Sequence, residues 1–287
     1  MSARRSRPSP SKPRSPAAPP VAEFLGRVLI VAGSDSGGGA GIQADIKTVT
    51  ALGGYAACAI TTVTAQNSLG VRQLHPIPTG TVEAQIRAVL EDIGADAVKT
   101  GMLVSAPVVE LVARFLDATP SLPAVIDPVM AAKDGTALLN SRAASALLAL
   151  LVPRAALFTP NAPEAAALTG HAVETTDDLR RAGEALLAVG ARAVLMKGGH
   201  IVGKSVIDVL MTGAGETTFE GPRSATPHTH GTGCTLASAC AAGLAQGLAL
   251  ETAVARAWAY TAEAIRRAPG FGAGAGPLDH GWPMRNS

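Results

Sequence analysis

Apolar residues along this chain gather in short, nearly continuous runs: Val28–Gly33, Ala56–Gln66, Ala97–Leu103, Ala124–Met130, Ala156–Asn161, Ala193–Gly199 and Val206–Thr212. Amphipathic stretches lie between most of them, such as Gln43–Leu52, Val82–Ile93, Val108–Leu116 and Asp177–Val189. A strand covered on both faces reads as a continuous apolar run, whereas a helix on a sheet shows one apolar stripe. The alternation therefore predicts an α/β fold, with a central, mostly parallel sheet and helices on both faces. One stretch departs from it. Between Ala193 and about Glu220, two strand-like runs are separated only by Gly199–Ser205, which reads as a hairpin and makes the sheet mixed at one side. Two helices, Cys234–Leu248 and Glu251–Arg267, close the chain. No internal repeat or low-complexity linker interrupts the body, so a single domain from residue 27 to 287 is expected.

In α/β sheets of this kind, ligand sites form at the carboxyl ends of the strands. Polar and Gly-rich residues fall there, and four groups carry candidate chemistry. The first is Thr229-His230-Gly231-Thr232-Gly233-Cys234, directly before an apolar helix. Gly231 and Gly233 let the backbone approach an anion, and successive N–H groups at a helix N-terminus form a nest for negative charge. A phosphoryl group in transfer needs such donors around its equatorial oxygens. Cys234, in the first turn, is expected to have a lowered thiol pKa and to take a proton from an attacking hydroxyl. A buried, inert cysteine is the bland alternative, and Cys58 and Cys240 are read that way.

The second group, Gly33–Asp45, leaves a strand and opens a helix as a dinucleotide-binding turn does. Its GxGxxG spacing fails in every register and no acid ends a second strand to hold a ribose, which excludes a nicotinamide or flavin oxidoreductase. A lid or a substrate wall is expected instead. The third, Gly198–Ser205, matches the phosphate-loop pattern GxxxxGK[ST] letter for letter. After Ser205 the chain takes up a β-branched, alternating strand pattern where that motif needs a helix, so Lys204 is read as a solvated hairpin tip and Lys197 as the phosphate contact. In the fourth, Thr159–Glu164, Asn161 and Glu164 are spaced as a capping box. The functional alternative has Glu164, with Asp127 from a neighbouring strand end, holding Mg²⁺ through hard oxygen ligands.

Composition narrows the partners. The net charge is +2, but Arg4, Arg5, Arg7, Lys12 and Arg14 all lie in a Pro/Ser/Arg-rich start. Without them 19 basic and 22 acidic residues remain, a net −3. With aromatics at 3%, neither a basic face nor a stacking platform for nucleic acid is present. Residues 1–26 are expected to be a disordered tail, lacking the apolar segment of a secretory signal. No apolar run reaches membrane-spanning length, and three cysteines without a CxxC pair indicate a reducing, cytoplasmic setting.

Taken in order, Ala32-Gly33-Ser34-Asp35, Gly38–Gly41 with Ile42-Gln43-Ala44-Asp45, Ala65-Gln66-Asn67, Lys99-Thr100-Gly101-Met102, Asp127-Pro128-Val129-Met130, Thr159-Pro160-Asn161 with Glu164, Met196-Lys197-Gly198-Gly199-His200 and His230–Cys234 form a recognisable set. Over about residues 27–280 the chain resembles the hydroxymethylpyrimidine/phosphomethylpyrimidine kinases of thiamine biosynthesis, in the ribokinase-like superfamily. The resemblance implies a homodimer that uses ATP and Mg²⁺. The substrate implied is 4-amino-5-hydroxymethyl-2-methylpyrimidine, phosphorylated first to its monophosphate and then to its diphosphate. It also implies that Gly33, Asp45, Gln66, Met102 and Val129 line the pyrimidine pocket. Gly231, Gly233 and Cys234 would form the anion hole and base. Lys197 and Thr229 would touch the nucleotide, and Asn161 and Glu164 the phosphate–Mg²⁺ region. Gly37-Gly38 stands where Ser-Gly is usual in the family, and Thr64 where Val is common. Pyridoxal or pyridoxine kinases are the near alternative; a non-catalytic binding protein on the same fold is the distant one.

Overall fold

The structure, a computed structural model, describes residues 26–132 and 135–285. The expected tail lies outside the described residues except for Gly26. The strands are β1 (Arg27–Asp35), β2 (Tyr55–Asn67), β3 (Gly70–Pro76), β4 (Ala97–Thr100), β5 (Ala124–Ile126), β6 (Leu157–Phe158), β7 (Ala193–Lys197), β8 (Ser205–Thr212) and β9 (Gly215–Pro222). The helices are α1 (Gly41–Ala51), α2 (Thr79–Ala88), α3 (Ala106–Ala118), α4 (Ser141–Ala146), α5 (Ala162–Thr169), α6 (Thr176–Val189), α7 (Thr232–Ala245) and α8 (Leu250–Arg266).

The side-chain alternation of β1 builds two cores. Leu29 and Val31 point to one face and pack with residues of α2, α3 and α6. Val28, Ile30 and Ala32 point to the other and pack with α1, α7 and α8. Each side chain of this kind, fully buried, contributes about 1.5–3 kcal/mol. Small residues let α7 lie close to its neighbours: Thr235 through Gly243 are all buried. A Cβ on Gly243 would come within 2.7 Å of the Ala253 Cβ on α8.

The strand order is β3-β2-β1-β4-β5-β6-β7-β8-β9. The six strands from β2 to β7 run parallel, β8 returns antiparallel to β7 as the hairpin reading predicts, and β9, absent from that reading, runs antiparallel to β8. The sheet is mixed at its other edge too, because β3 returns antiparallel along β2. That strand escapes the hydrophobic reading because it is an edge: its residues are half-buried or exposed, so no apolar run marks it. β9 alternates between half-buried and exposed residues for the same reason. β5 and β6 stop earlier than the apolar runs, so Asp127 and Thr159 begin loops at the carboxyl end of the sheet. Among the described residues, no helix is long and apolar enough to cross a membrane.

Candidate active site

The parallel strands release their chains along one edge, and a cavity of about 630 Å³ opens there. Gly33 and Gln66, near the carboxyl ends of β1 and β2, and Met102, after β4, line one end. Asn161 and Glu164, after β6, and Lys197, the last residue of β7, line the other. Asp127, Val129, Thr229 and the turn Gly231–Cys234 lie on the wall as well.

The turn works as the local sequence suggests. Gly231 sits at the N-cap of α7 with φ +84°, a left-handed conformation. A Cβ there would fall 1.8 Å from the carbonyl oxygen of Gly39, so only glycine fits. The Gly231 carbonyl accepts the Thr235 N–H (2.9 Å) and hydroxyl (2.8 Å), which fixes the first turn. The N–H groups of Gly233 and Cys234 belong to that turn and have no intrahelical acceptor. A Cβ on Gly233 would lie 3.1 Å from Lys197 Nζ and 3.7 Å from Asp127 Oδ2. An ammonium and a carboxylate thus abut the nest.

Lys197, read from sequence as the phosphate contact, is buried and donates to Asp127 Oδ1 at 2.9 Å; Thr159 Oγ1 donates to the same oxygen at 3.0 Å. Burial works against the Lys197 charge, but Asp127 and Glu164 outweigh it and raise its pKa. Lys204 is exposed and precedes a strand, as expected. The capping-box reading of Thr159–Glu164 holds. Asn161 Oδ1 accepts the Glu164 N–H (2.9 Å) and Glu164 Oε2 accepts the Asn161 N–H (2.8 Å), a complete capping box. Glu164 nevertheless faces the cavity. Burial lifts its carboxyl to about 7, against the pull of Lys197 and with a push from Asp127.

Two expectations fail. Asp45 is not on the cavity wall. Its carboxylate is fully buried, taking Lys99 Nζ on both oxygens (2.8 and 2.9 Å) and the Ser238 hydroxyl at 2.7 Å. Lys99 lies just under the floor, since a Cβ on Gly101 would be 3.1 Å from its Nζ. Burial would discharge Lys99, but Asp45 and then Cys234 and Asp127 raise its pKa above the ordinary value. The signal was present in the sequence: an acid on the inward face of α1 with Ile42, Thr48 and Val49, and a lysine inside the apolar strand β4. A charge inside an apolar element must find a partner. The second failure is Cys234. Its thiol is raised, not lowered: burial pushes it up to about 12, with Asp45 and Asp127 adding to the push and Lys99 and the Gly41 N–H opposing it. Desolvation outweighs the helix terminus, and the resting group is a neutral thiol.

Sequence reasoning also passed over Asp35 and His230. Asp35 accepts the N–H groups of Gly37 (2.8 Å), Gly39 (3.0 Å) and Ala40 (2.8 Å), and its Oδ2 pairs with His230 Nε2 at 2.9 Å. Although burial pushes the Asp35 carboxyl up, His230 and these donors hold it below its ordinary value. Ser36 and Gln66 exchange two further bonds, of 2.7 and 2.8 Å. The Gly-rich loop is therefore a tethered wall, not a lid. Its anchor to the nest joins residues 195 apart in sequence.

The donor set suits Mg²⁺. Asp127 and Glu164 offer hard oxygens beside the nest, and among the described residues no group of three or more His, Cys, Asp or Glu forms a closed cage. Mg²⁺ bound with a nucleotide takes one or two carboxylates and fills its other positions with phosphate and water.

A nest at a helix N-terminus, flanked by a buried lysine and two carboxylates over the carboxyl ends of a parallel sheet, defines an α/β phosphotransferase of ribokinase-like fold. Comparison with known proteins narrows the class. A family model described as phosphomethylpyrimidine kinase matches residues 35–279. The hydroxymethylpyrimidine/phosphomethylpyrimidine kinase of Streptomyces coelicolor is 51% identical over 95% of this chain and 98% of its own. That of Bacillus subtilis is 45% identical over 91% and 97%. Among solved structures, the ADP complex of Bacillus subtilis pyridoxal kinase superposes with a TM-score of 0.84 at 35% identity, covering 92% of this chain and all of that one. Phosphomethylpyrimidine kinase from Clostridium difficile gives 0.74 at 40% identity, over 83% and 99%. The chain belongs to the phosphomethylpyrimidine kinase family.

Proposed function

We propose that this enzyme transfers a phosphoryl group from ATP to the hydroxymethyl group of 4-amino-5-hydroxymethyl-2-methylpyrimidine, and then a second one to the resulting monophosphate, in thiamine biosynthesis. The observation that carries this reading is the Gly231–Cys234 nest, set between the Gly33/Gln66/Met102 end and the Asn161/Glu164/Lys197 end of one cavity. The pyrimidine occupies the first end, where the Gln66 amide offers both a donor and an acceptor to an aminopyrimidine edge. The nucleotide occupies the second, with Lys197 and Thr229 beside its phosphates. Relatives solved with ADP and with AMP-PCP support a nucleotide at this kind of site.

The N–H groups of the nest and the Lys197 ammonium stabilise the charge that spreads over the transferring group. Asp127 and Glu164 would hold Mg²⁺, which would supply further neutralisation. Cys234 faces the hydroxyl and is the group placed to receive its proton. It can do so only as thiolate, and Lys99 beneath it is the charge that favours that form. Three free cysteines support a cytoplasmic setting. The exposed apolar residues Tyr55, Val63 and Leu69 around the β2–β3 edge support a homodimer, which light scattering would test.

Product chromatography tests the main reading. Two ATP are consumed per pyrimidine and diphosphate is the end product; monophosphate accumulating without further conversion would refute the second step. The fold likeness to pyridoxal kinases favours one second reading, and pyridoxal turning over faster than the pyrimidine would establish it.

A further inference from the structure

Residues 198–204, whose letters imitate a phosphate-binding loop, have a different use. The loop runs directly on from Lys197 and brings His200 to the cavity wall. Its one apolar anchor is Ile201, which packs against the core; Val202 is 99% exposed, and nothing lies within 4 Å of the place a Cβ would take on Gly199. Side chains from elsewhere hold its backbone. Asp208 on β8 accepts the Gly198 N–H through Oδ1 at 2.8 Å and the Trp258 indole N–H through Oδ2 at 3.1 Å. On the other side stands Arg223, the first residue after β9. Its Nη1 donates to the Gly199 carbonyl (2.7 Å), its Nη2 to Ile201 (2.6 Å) and its Nε to Gly203 (2.9 Å). Its backbone N–H donates to the Lys204 carbonyl at 2.9 Å. A planar guanidinium can serve three carbonyls of one loop at once; the compact ammonium of lysine has no such fork. From Arg223 the chain continues through residues 224–228 into Thr229 and the nest.

We propose that Arg223 is a positioning residue for the nucleotide: it clamps the 198–204 loop so that His200 keeps its place at the nucleotide end of the cavity, while Lys197 is held separately by Asp127. This rests on the placement of the nucleotide over β6 and β7 proposed above. The clamp touches neither the pyrimidine wall nor the nest, so it should act on nucleotide binding and not on the chemical step.

The test uses full-length Arg223→Ala and Arg223→Lys, with steady-state kinetics in both substrates, hydrogen exchange of the loop amides and thermal melting. In Arg223→Ala, the KM for ATP is expected to rise about tenfold, the scale of losing one charged hydrogen bond, with kcat and the pyrimidine KM within about threefold. Exchange in 198–204 should speed up while the melting temperature barely moves. Arg223→Lys should not restore the ATP KM, whereas millimolar guanidinium ion should partly restore it in Arg223→Ala. Unchanged loop exchange would overturn the clamp. Faster exchange with an unchanged ATP KM would overturn its role in nucleotide binding and leave the kinase assignment standing. A rise confined to the pyrimidine KM would overturn the nucleotide placement itself. If Arg223→Ala does not fold, full ATP affinity in Arg223→Lys would overturn the proposal by itself.

Discussion

Gly231→Ala puts the smallest side chain at the tightest point of the site. The new Cβ would lie 1.8 Å from Gly39 O, 2.8 Å from Gly39 C and 3.2 Å from Ala40 Cα. Reaching ordinary contact, which begins near 3.4 Å, means parting the Gly-rich loop from the nest by about 1.6 Å. The atoms in the way are backbone, so no side-chain rotation can relieve the overlap. A shift of that size takes Asp35 and His230, now 2.9 Å apart, out of hydrogen-bonding range. The left-handed φ of +84° adds roughly 1–2 kcal/mol for any residue with a Cβ. One or two lost hydrogen bonds add about 1 kcal/mol each. The variant should therefore fold, but be less stable by roughly 3 kcal/mol, a fall in melting temperature of about 6–12 °C for a chain of this size. Turnover should suffer more than stability, because a misplacement of about 1 Å at a reacting centre costs on the order of 10²-fold. Calorimetry and steady-state kinetics on the same preparation check both numbers. Gly213→Ala is the control, since Gly213 has nothing within 4 Å of its Cβ position. If Gly231→Ala keeps kcat within threefold of the unmodified enzyme, the contact between loop and nest does not organise the site.

The charges around the cavity lead to three further outcomes. Lys197→Ala should raise the KM for ATP and lower kcat, while Lys204→Ala, exposed on its hairpin, should leave both within about twofold; the reverse pattern would mean the wrong lysine has been chosen. Burial holds the Cys234 thiol up to about 12. Its alkylation by iodoacetamide should therefore be slow at about pH 7.5 and climb about tenfold per pH unit towards about pH 10, and kcat should rise with pH to at least about pH 9 in the unmodified enzyme but not in Cys234→Ala. A reactivity plateau below about pH 9 would restore a lowered thiol pKa, and parallel pH–kcat profiles would remove Cys234 from proton transfer. Glu164 rises from an ordinary 4.5 to about 7 on folding, so the folded state binds the extra proton and its stability falls as pH climbs through that window. Without Mg²⁺, Glu164→Gln, which can still cap α5, should gain on the unmodified protein by about 1.4 kcal/mol per pH unit between those values and level off above about pH 7. Urea unfolding curves that stay parallel from about pH 5 to about pH 8 would refute the raised carboxyl.

Features that are local, or covered on every side, can be read along the chain without its fold. Strands β1, β4 and β7 announce themselves because both faces are buried, so nearly every position is apolar or small. The nest at Gly231–Cys234 and the capping box of Asn161 and Glu164 were legible because their backbone geometry is set within six residues. The false phosphate loop at Gly198–Ser205 was legible for the same reason, since a strand pattern begins directly after it. Edge strand β3 was not, because an exposed edge has no apolar run to leave in the sequence. The Lys99–Asp45 pair spans 54 residues and the Asp35–His230 pair 195, and no local periodicity encodes such partners. Asp45 leaves the pocket for that reason: a carboxylate inside the protein is held by whichever cation the topology brings to it. Cys234 shows the same division. Its place in the first turn of α7 is written in the sequence, but its proton affinity depends on how much water the surrounding sheet, loop and helices remove, and that is set by elements far apart in the chain once they have packed together.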